Sequence, residues 1–111
     1  MRIWMLALML GLSTTAMAAE VTGDANAGAK KIAVCLACHG VDGRTPAAPI
    51  YPRLAGQSSE YLKNALHAYH DGQRQGGMSA MMSPQAAMLS DQDIADIAAY
   101  FSEQSPCVAG K

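Results

Sequence analysis

Apolar and polar positions along this chain recur at helical spacing. An unbroken apolar stretch runs from Ile3 to Leu12, after Met1-Arg2 and before Ser13-Thr14-Thr15. From Asp24 to Cys38, small or apolar residues at Ala25, Gly28, Ala29, Ile32 and Ala33 keep a period near 3.6. That spacing predicts a helix capped by Asp24 and leading into Cys35. A glycine inside a helix costs about 1 kcal/mol against alanine, so Gly28 points to a close helix crossing. Residues 40–57 carry Gly43, Pro46, Pro49, Pro52 and Gly56 and read as a long loop, the kind that is usually functional or disordered. A second helix is expected from Ser59 to Asp71, with Tyr61, Leu62, Ala65, Leu66 and Tyr69 on one stripe and Gly72 at C′. His67 and His70 fall off that stripe, toward water. The segment 76–89 holds Met78, Met81, Met82 and Met88. The last helix opens at Ser90, with Asp93 completing a capping box. It buries Ile94, Ile97, Ala98 and Phe101 and fades by Ser105-Pro106. No strand alternation and no internal repeat is found, so the fold class is all-α.

Composition narrows this. A length of 111 residues suits one small domain, and an apolar fraction of 50% argues against disorder. A net charge of −1 with 15% charged residues leaves no basic surface for nucleic acid. The same small charge predicts docking through a mostly apolar patch rather than by strong electrostatic steering. At the N-terminus a positive start, a short apolar centre and Ala16-Met17-Ala18 form a secretory signal, residues 1–18, cleaved after Ala18. Its apolar run is too short to span a bilayer, so no spanning segment is expected in the domain, residues 19–111. The only tryptophan, Trp4, leaves with the signal, and one Phe and four Tyr remain. A domain this small and this poor in aromatics commonly needs a staple, metal or cofactor.

Candidate chemistry centres on Cys35-Leu36-Ala37-Cys38-His39, the C-x-x-C-H signature of covalent haem attachment. Two thiols at this spacing add to the two vinyl groups of haem, and the adjacent imidazole lies beneath the iron as a ligand. Three rival readings stand beside it. A thioredoxin-like pair needs a preceding strand. A zinc site needs four ligands, and only Cys107, His67 and His70 are left to complete one. A structural disulfide leaves His39 unexplained. The methionines are either fillers of a poorly aromatic core or, for one of them, a thioether ligand opposite His39. Cys107 has no partner once haem takes Cys35 and Cys38. In an oxidising compartment it is a surface thiol on a monomer or the link of a disulfide dimer.

The order of these pieces resembles the class I c-type cytochromes, and most closely one half of the bacterial two-haem cytochromes c. The resemblance rests on Cys35-Leu36-Ala37-Cys38-His39-Gly40, Pro52-Arg53-Leu54-Ala55-Gly56-Gln57, Tyr61-Leu62, the methionine segment and the closing helix Leu89–Phe101. It covers residues 23–104 and implies a small class I cytochrome c fold, with helices wrapped around one covalently attached haem c. The family's methionine ligand commonly sits seven residues before the leucine preceding Ser-Asp; counting from Leu89 gives Met82, with Met81 as its rival. By the same resemblance Pro52 offers its carbonyl to the free N–H of His39, fixing the imidazole tautomer. Leu54, Tyr61, Leu62 and Leu66 are similar to haem-contacting positions, and Gly28 to the residue where the first helix crosses the last, against Tyr100. Arg53, Gln57 and Arg74 are candidates to meet the haem propionates.

An iron with both axial positions filled has no open site for substrate and passes electrons. The expected function is a soluble periplasmic electron carrier, not an enzyme. Its partners would be redox proteins of the periplasm or inner-membrane respiratory complexes. Two alternatives stay open: a haem subunit of a larger oxidoreductase, and a five-coordinate haem sensor or peroxidase. The last lacks a distal histidine–arginine motif.

Overall fold

Asp24 starts the first helix as the sequence requires. Its carboxylate accepts the N–H groups of Asn26 (2.8 Å) and Ala27 (3.3 Å), two of the donors that a helix start leaves unpaired. The computed structural model describes residues 11, 13, 15, 16 and 19–107, so the expected signal, residues 1–18, lies mostly outside the described residues. Five helices follow in order: α1 Ala25–Ala29, α2 Ala33–His39, α3 Ser59–His70, α4 Ser79–Ala87 and α5 Asp91–Glu103. No strand occurs among the described residues.

One expectation needs correction. The helix predicted to run unbroken from Asp24 into Cys35 is two helices, α1 and α2. The chain tightens at Lys30 and Lys31, whose N–H groups donate three residues back to Ala27 O (3.1 Å) and Gly28 O (2.8 Å). The break lets Lys31 reach Asp96 (2.6 Å) and Asp93 (2.8 Å) on α5, while Ile32 turns into the core. Tertiary contacts override the local helical period here.

α1 crosses α5 at Gly28, as the sequence suggested. A Cβ at this position would overlap the carbonyl oxygen of Asp96 and come within 3.0 Å of Tyr100 Cβ. α5 packs against α1 and α3, and α3 packs against α4 as well. The Ser90–Asp93 capping box is complete, with Asp93 N–H donating to Ser90 Oγ (3.1 Å) and Ser90 N–H to Asp93 Oδ2 (3.0 Å). Because α5 is covered on two sides, Ala95 and Asp96 are buried along with the expected Ile94, Ile97, Ala98 and Phe101.

The core cluster is Ile32, Leu62, Ile97, Ala98 and Phe101, with Cys35, Leu36, Leu54, Leu66, Leu89 and Tyr100 packed half-buried against it. Phe101 and Ile94 are its largest fully buried side chains among the described residues. The methionine segment forms α4. It forms despite Pro84 in its interior, which removes one helical donor, and it anchors through buried Ala86.

Candidate functional site

α2 is a short helix that carries Cys35, Cys38 and His39 within about one turn. At this spacing Cys35 and Cys38 stand three apart, and His39 four from Cys35, so all three belong to one helix face. Gly40 ends the helix directly after His39 with φ +86°, a left-handed conformation that glycine adopts without strain. Its N–H donates to Leu36 O (3.0 Å), and a Cβ there would overlap the Thr45 carbonyl. The chain is therefore free to fold back sharply beneath the imidazole.

His39 is 5% exposed, and its Nδ1–H donates to the Pro52 carbonyl at 2.8 Å. With that proton committed, Nε2 is the lone-pair nitrogen, and it has no hydrogen-bond partner among the described residues. The loop that supplies Pro52 is held at several points. Ala47 N–H donates to Cys38 O (2.9 Å), Leu54 N–H to Gly43 O (2.7 Å) and Gly56 N–H to Phe101 O (3.0 Å). The long Gly/Pro loop is thus ordered against α2 and α5. Tyr51, which the sequence reading passed over, lies with its ring 6.4 Å from the imidazole at 59°.

Cys35 and Cys38 are free thiols, each half-buried. Burial pushes the Cys35 thiol above its ordinary value, so it stays protonated at neutral pH. α1, a helix, precedes the pair where a thioredoxin-like site needs a strand. No three His, Cys, Asp or Glu side chains converge among the described residues. His67 instead stands 3.9 Å from Asp91, and His70 2.8 Å from Asp71. Cys107 is exposed beyond α5.

The methionines separate by burial. Met78 and Met81 are each 44% exposed and Met88 73%. The filler reading therefore does not describe these three, which flank or face out from α4. Met82 is half-buried on the same helix. Of the apolar positions expected near the cofactor, Leu62 is buried, Leu54 and Leu66 pack half-buried on the core, and Tyr61 is 52% exposed.

The polar candidates fall out differently. Arg53 is exposed, Gln57 Nε2 donates to Arg53 O at 3.4 Å, and the Arg74 guanidinium lies 4.7 Å over the Tyr69 ring. Arg44, not singled out from sequence, is bound to Asp42 (3.0 Å) and to the Cys107 carbonyl (3.1 Å), and its Nε is buried without a partner. The other group that sequence reading missed is Asp96. It is 2% exposed and accepts from Lys31 Nζ (2.6 Å), Asp24 N–H (2.8 Å) and Gln92 Nε2 (2.8 Å). Lys31, then the Asp24 amide, holds its carboxyl below the usual range. Lys31, then Ser90, holds Asp93 at about 2. No periodicity marks an acid in that position.

This donor set fits a covalently held haem. Two thiols outside any disulfide stand beside a buried imidazole with one nitrogen committed and the other free. Cys35, Leu36, Leu54 and Leu66 pack half-buried on the same core cluster.

Comparison with known proteins points the same way. Residues 25–105 match the cytochrome c family. The chain is 61% identical over 82 residues to cytochrome c-554(548) of Halomonas halodenitrificans, covering 74% of this chain and 98% of that protein. The structure of reduced cytochrome c4 from Pseudomonas stutzeri is 47% identical with a TM-score of 0.61, over 76% of this chain and 47% of that one. Thiosulfate dehydrogenase from Marichromatium purpuratum is 31% identical with a TM-score of 0.70, over 80% of this chain and 21% of that one. The chain thus spans nearly all of the first, about half of the second and a small part of the third.

Proposed function

The chain belongs to the cytochrome c family, and from that premise we propose that it is an exported periplasmic one-electron carrier with its haem iron ligated by His39 and Met82. It is an electron-transfer protein rather than an enzyme, with one covalently attached haem c. When bound, that haem supplies a one-electron iron couple. Cys35 and Cys38 would hold the ring by thioethers, each S–H adding across a vinyl group with sulfur on one carbon and hydrogen on the other. His39 would give Nε2 to the iron, because its proton stays on Nδ1, where it donates to the Pro52 carbonyl. Met82 would give the soft sulfur, which favours the ferrous state and raises the potential. Leu54, Leu62, Leu66 and Tyr61 would line the ring. With His39 and Met82 both bound to it, the iron would have no site left for a substrate.

The observation that carries this reading is the buried His39, its Nδ1 2.8 Å from Pro52 O, on the helix that also bears two free thiols. Export rests on the signal-like residues 1–18, and the domain is residues 19–111. The partners are redox proteins of the periplasm or inner-membrane respiratory complexes, with the protein a monomer unless Cys107 links two copies. The likeness to part of a thiosulfate dehydrogenase supports a second reading, a haem subunit of a larger oxidoreductase. Co-purification with a partner at constant stoichiometry separates the two.

Spectra of single variants test the ligation. Met82→Ala is expected to abolish the near-infrared methionine–iron band, lower the reduction potential and open the iron to carbon monoxide. Met81→Ala, exposed in the structure, is expected to leave all three unchanged. The reverse pattern would move the ligand to Met81, and no change in either would remove methionine ligation.

A further inference from the structure

We propose that Tyr51 is a positioning residue for the axial imidazole, its ring shielding the His39–Pro52 hydrogen bond from water and so holding His39 in one orientation and one tautomer. The proposal rests on the reading that His39 ligates the iron. Three observations carry it.

The first is contact. The Tyr51 and His39 ring centroids are 6.4 Å apart and tilted by 59°, within the range of a tilted aromatic pair. The second is the way the carbonyl is delivered. Tyr51 N–H donates to Ala48 O (3.1 Å) on the near side of Pro52, and Leu54 N–H to Gly43 O (2.7 Å) on the far side. Pro52 itself has a fixed φ and no N–H. Its carbonyl is therefore aimed by a turn anchored at both ends, with Tyr51 as the first anchor. The third is burial. His39 is 5% exposed, whereas Pro52 is exposed, so the bond runs from a dry donor to a residue that water reaches. A half-buried ring on the residue preceding Pro52 is placed to cover that side. The same bond is stronger when water is excluded, since the local dielectric is lower. The Tyr51 hydroxyl has no hydrogen-bond partner among the described residues, so the ring and not the hydroxyl is assigned the role.

Hydrogen exchange of the His39 Nδ1–H, followed by NMR in the reduced holoprotein, tests this. Tyr51→Ala is expected to speed that exchange at least tenfold, while Tyr51→Phe exchanges as the wild type does. Amides of α5 serve as the internal reference, and their rates are expected to stay unchanged, which a general loss of stability would not allow. Should Tyr51→Ala fail to assemble with haem, Tyr51→Val reads the same quantity, with a severalfold acceleration expected. Wild-type exchange in the Ala or Val variant overturns the shielding role. Acceleration in Tyr51→Phe overturns it too, by transferring the effect to the hydroxyl. The ligation reading is checked separately in the wild type, where the His39 ring protons are expected far upfield under the porphyrin ring current. Their absence there sinks the ligation, and this proposal with it, before any variant is made.

Discussion

Two regions of this small protein are built on different principles. Where α1 meets α5, the chain is closed by its own contacts. Gly28 admits the backbone of Asp96, Asp96 binds Lys31 and the Asp24 amide, and the Ser90–Asp93 box caps the helix end. Every polar group brought inside there has a partner, as burial demands. Around α2, the following loop and α4, by contrast, the side chains end in free donors. Two half-buried thiols, a buried imidazole with one free nitrogen and a half-buried thioether lie there, and backbone hydrogen bonds hold the loop between them. The first region is a protein clasp; the second is a frame for a cofactor that supplies the missing apolar volume. A 111-residue chain with 5% aromatics can afford both because only one of them must be filled from its own side chains.

Removing the cofactor's anchors is expected to break the contrast most. Cys35→Ala with Cys38→Ala should abolish haem that survives acid–acetone extraction. It should also leave α2, the loop and α4 poorly protected in amide exchange, with α1 and α5 the more protected pair. Uniform protection across both regions would mean that the α2 side folds without help. A smaller effect is expected from the clasp. Gly28→Ala gains up to about 1 kcal/mol of helix propensity. The new Cβ meets backbone rather than a flexible side chain, so overpacking of about 1–3 kcal/mol wins. Denaturant melting of the holoprotein should show the net loss, with the haem spectrum unchanged. A stabilised variant would show that the crossing has slack.

Acid sharpens the comparison with the smallest effect at ordinary pH. The carboxyls of Asp93, at about 2, and Asp96 are lowered in the folded protein, first by Lys31. Groups lowered in this way contribute stability that is fully present above their unfolded pKa, roughly 4, and lost as pH falls toward about 2. The clasp should therefore weaken between about pH 4 and pH 2. Asp96→Asn should be less stable than wild type at pH 7 and show a shallower decline over that window. Parallel curves would remove Asp96 from the account.

What the sequence determined by itself was local. Helix starts at Asp24, Ser58–Ser59 and Ser90, the stop before Gly72, and the buried face of α5 all depend on residues within about one turn, where side chain and backbone already meet. The C-x-x-C-H spacing is local in the same sense, which is why the attachment chemistry was legible before any fold. Resemblance to a family, and not periodicity, supplied the meeting of Pro52 with His39. Tertiary structure alone decided the rest. It broke the first helix at Lys30–Ile32, because Lys31 binds acids 62 and 65 positions away along the chain (Asp93 and Asp96). It buried Asp96 on a helix whose pattern reserved only one apolar face, because α1 and α3 cover α5 from two sides. It set Tyr51 beside the imidazole, and it sheltered Met82 while leaving Met81 exposed. Each of these depends on which distant surface arrives opposite a residue, and a one-dimensional pattern carries no record of that.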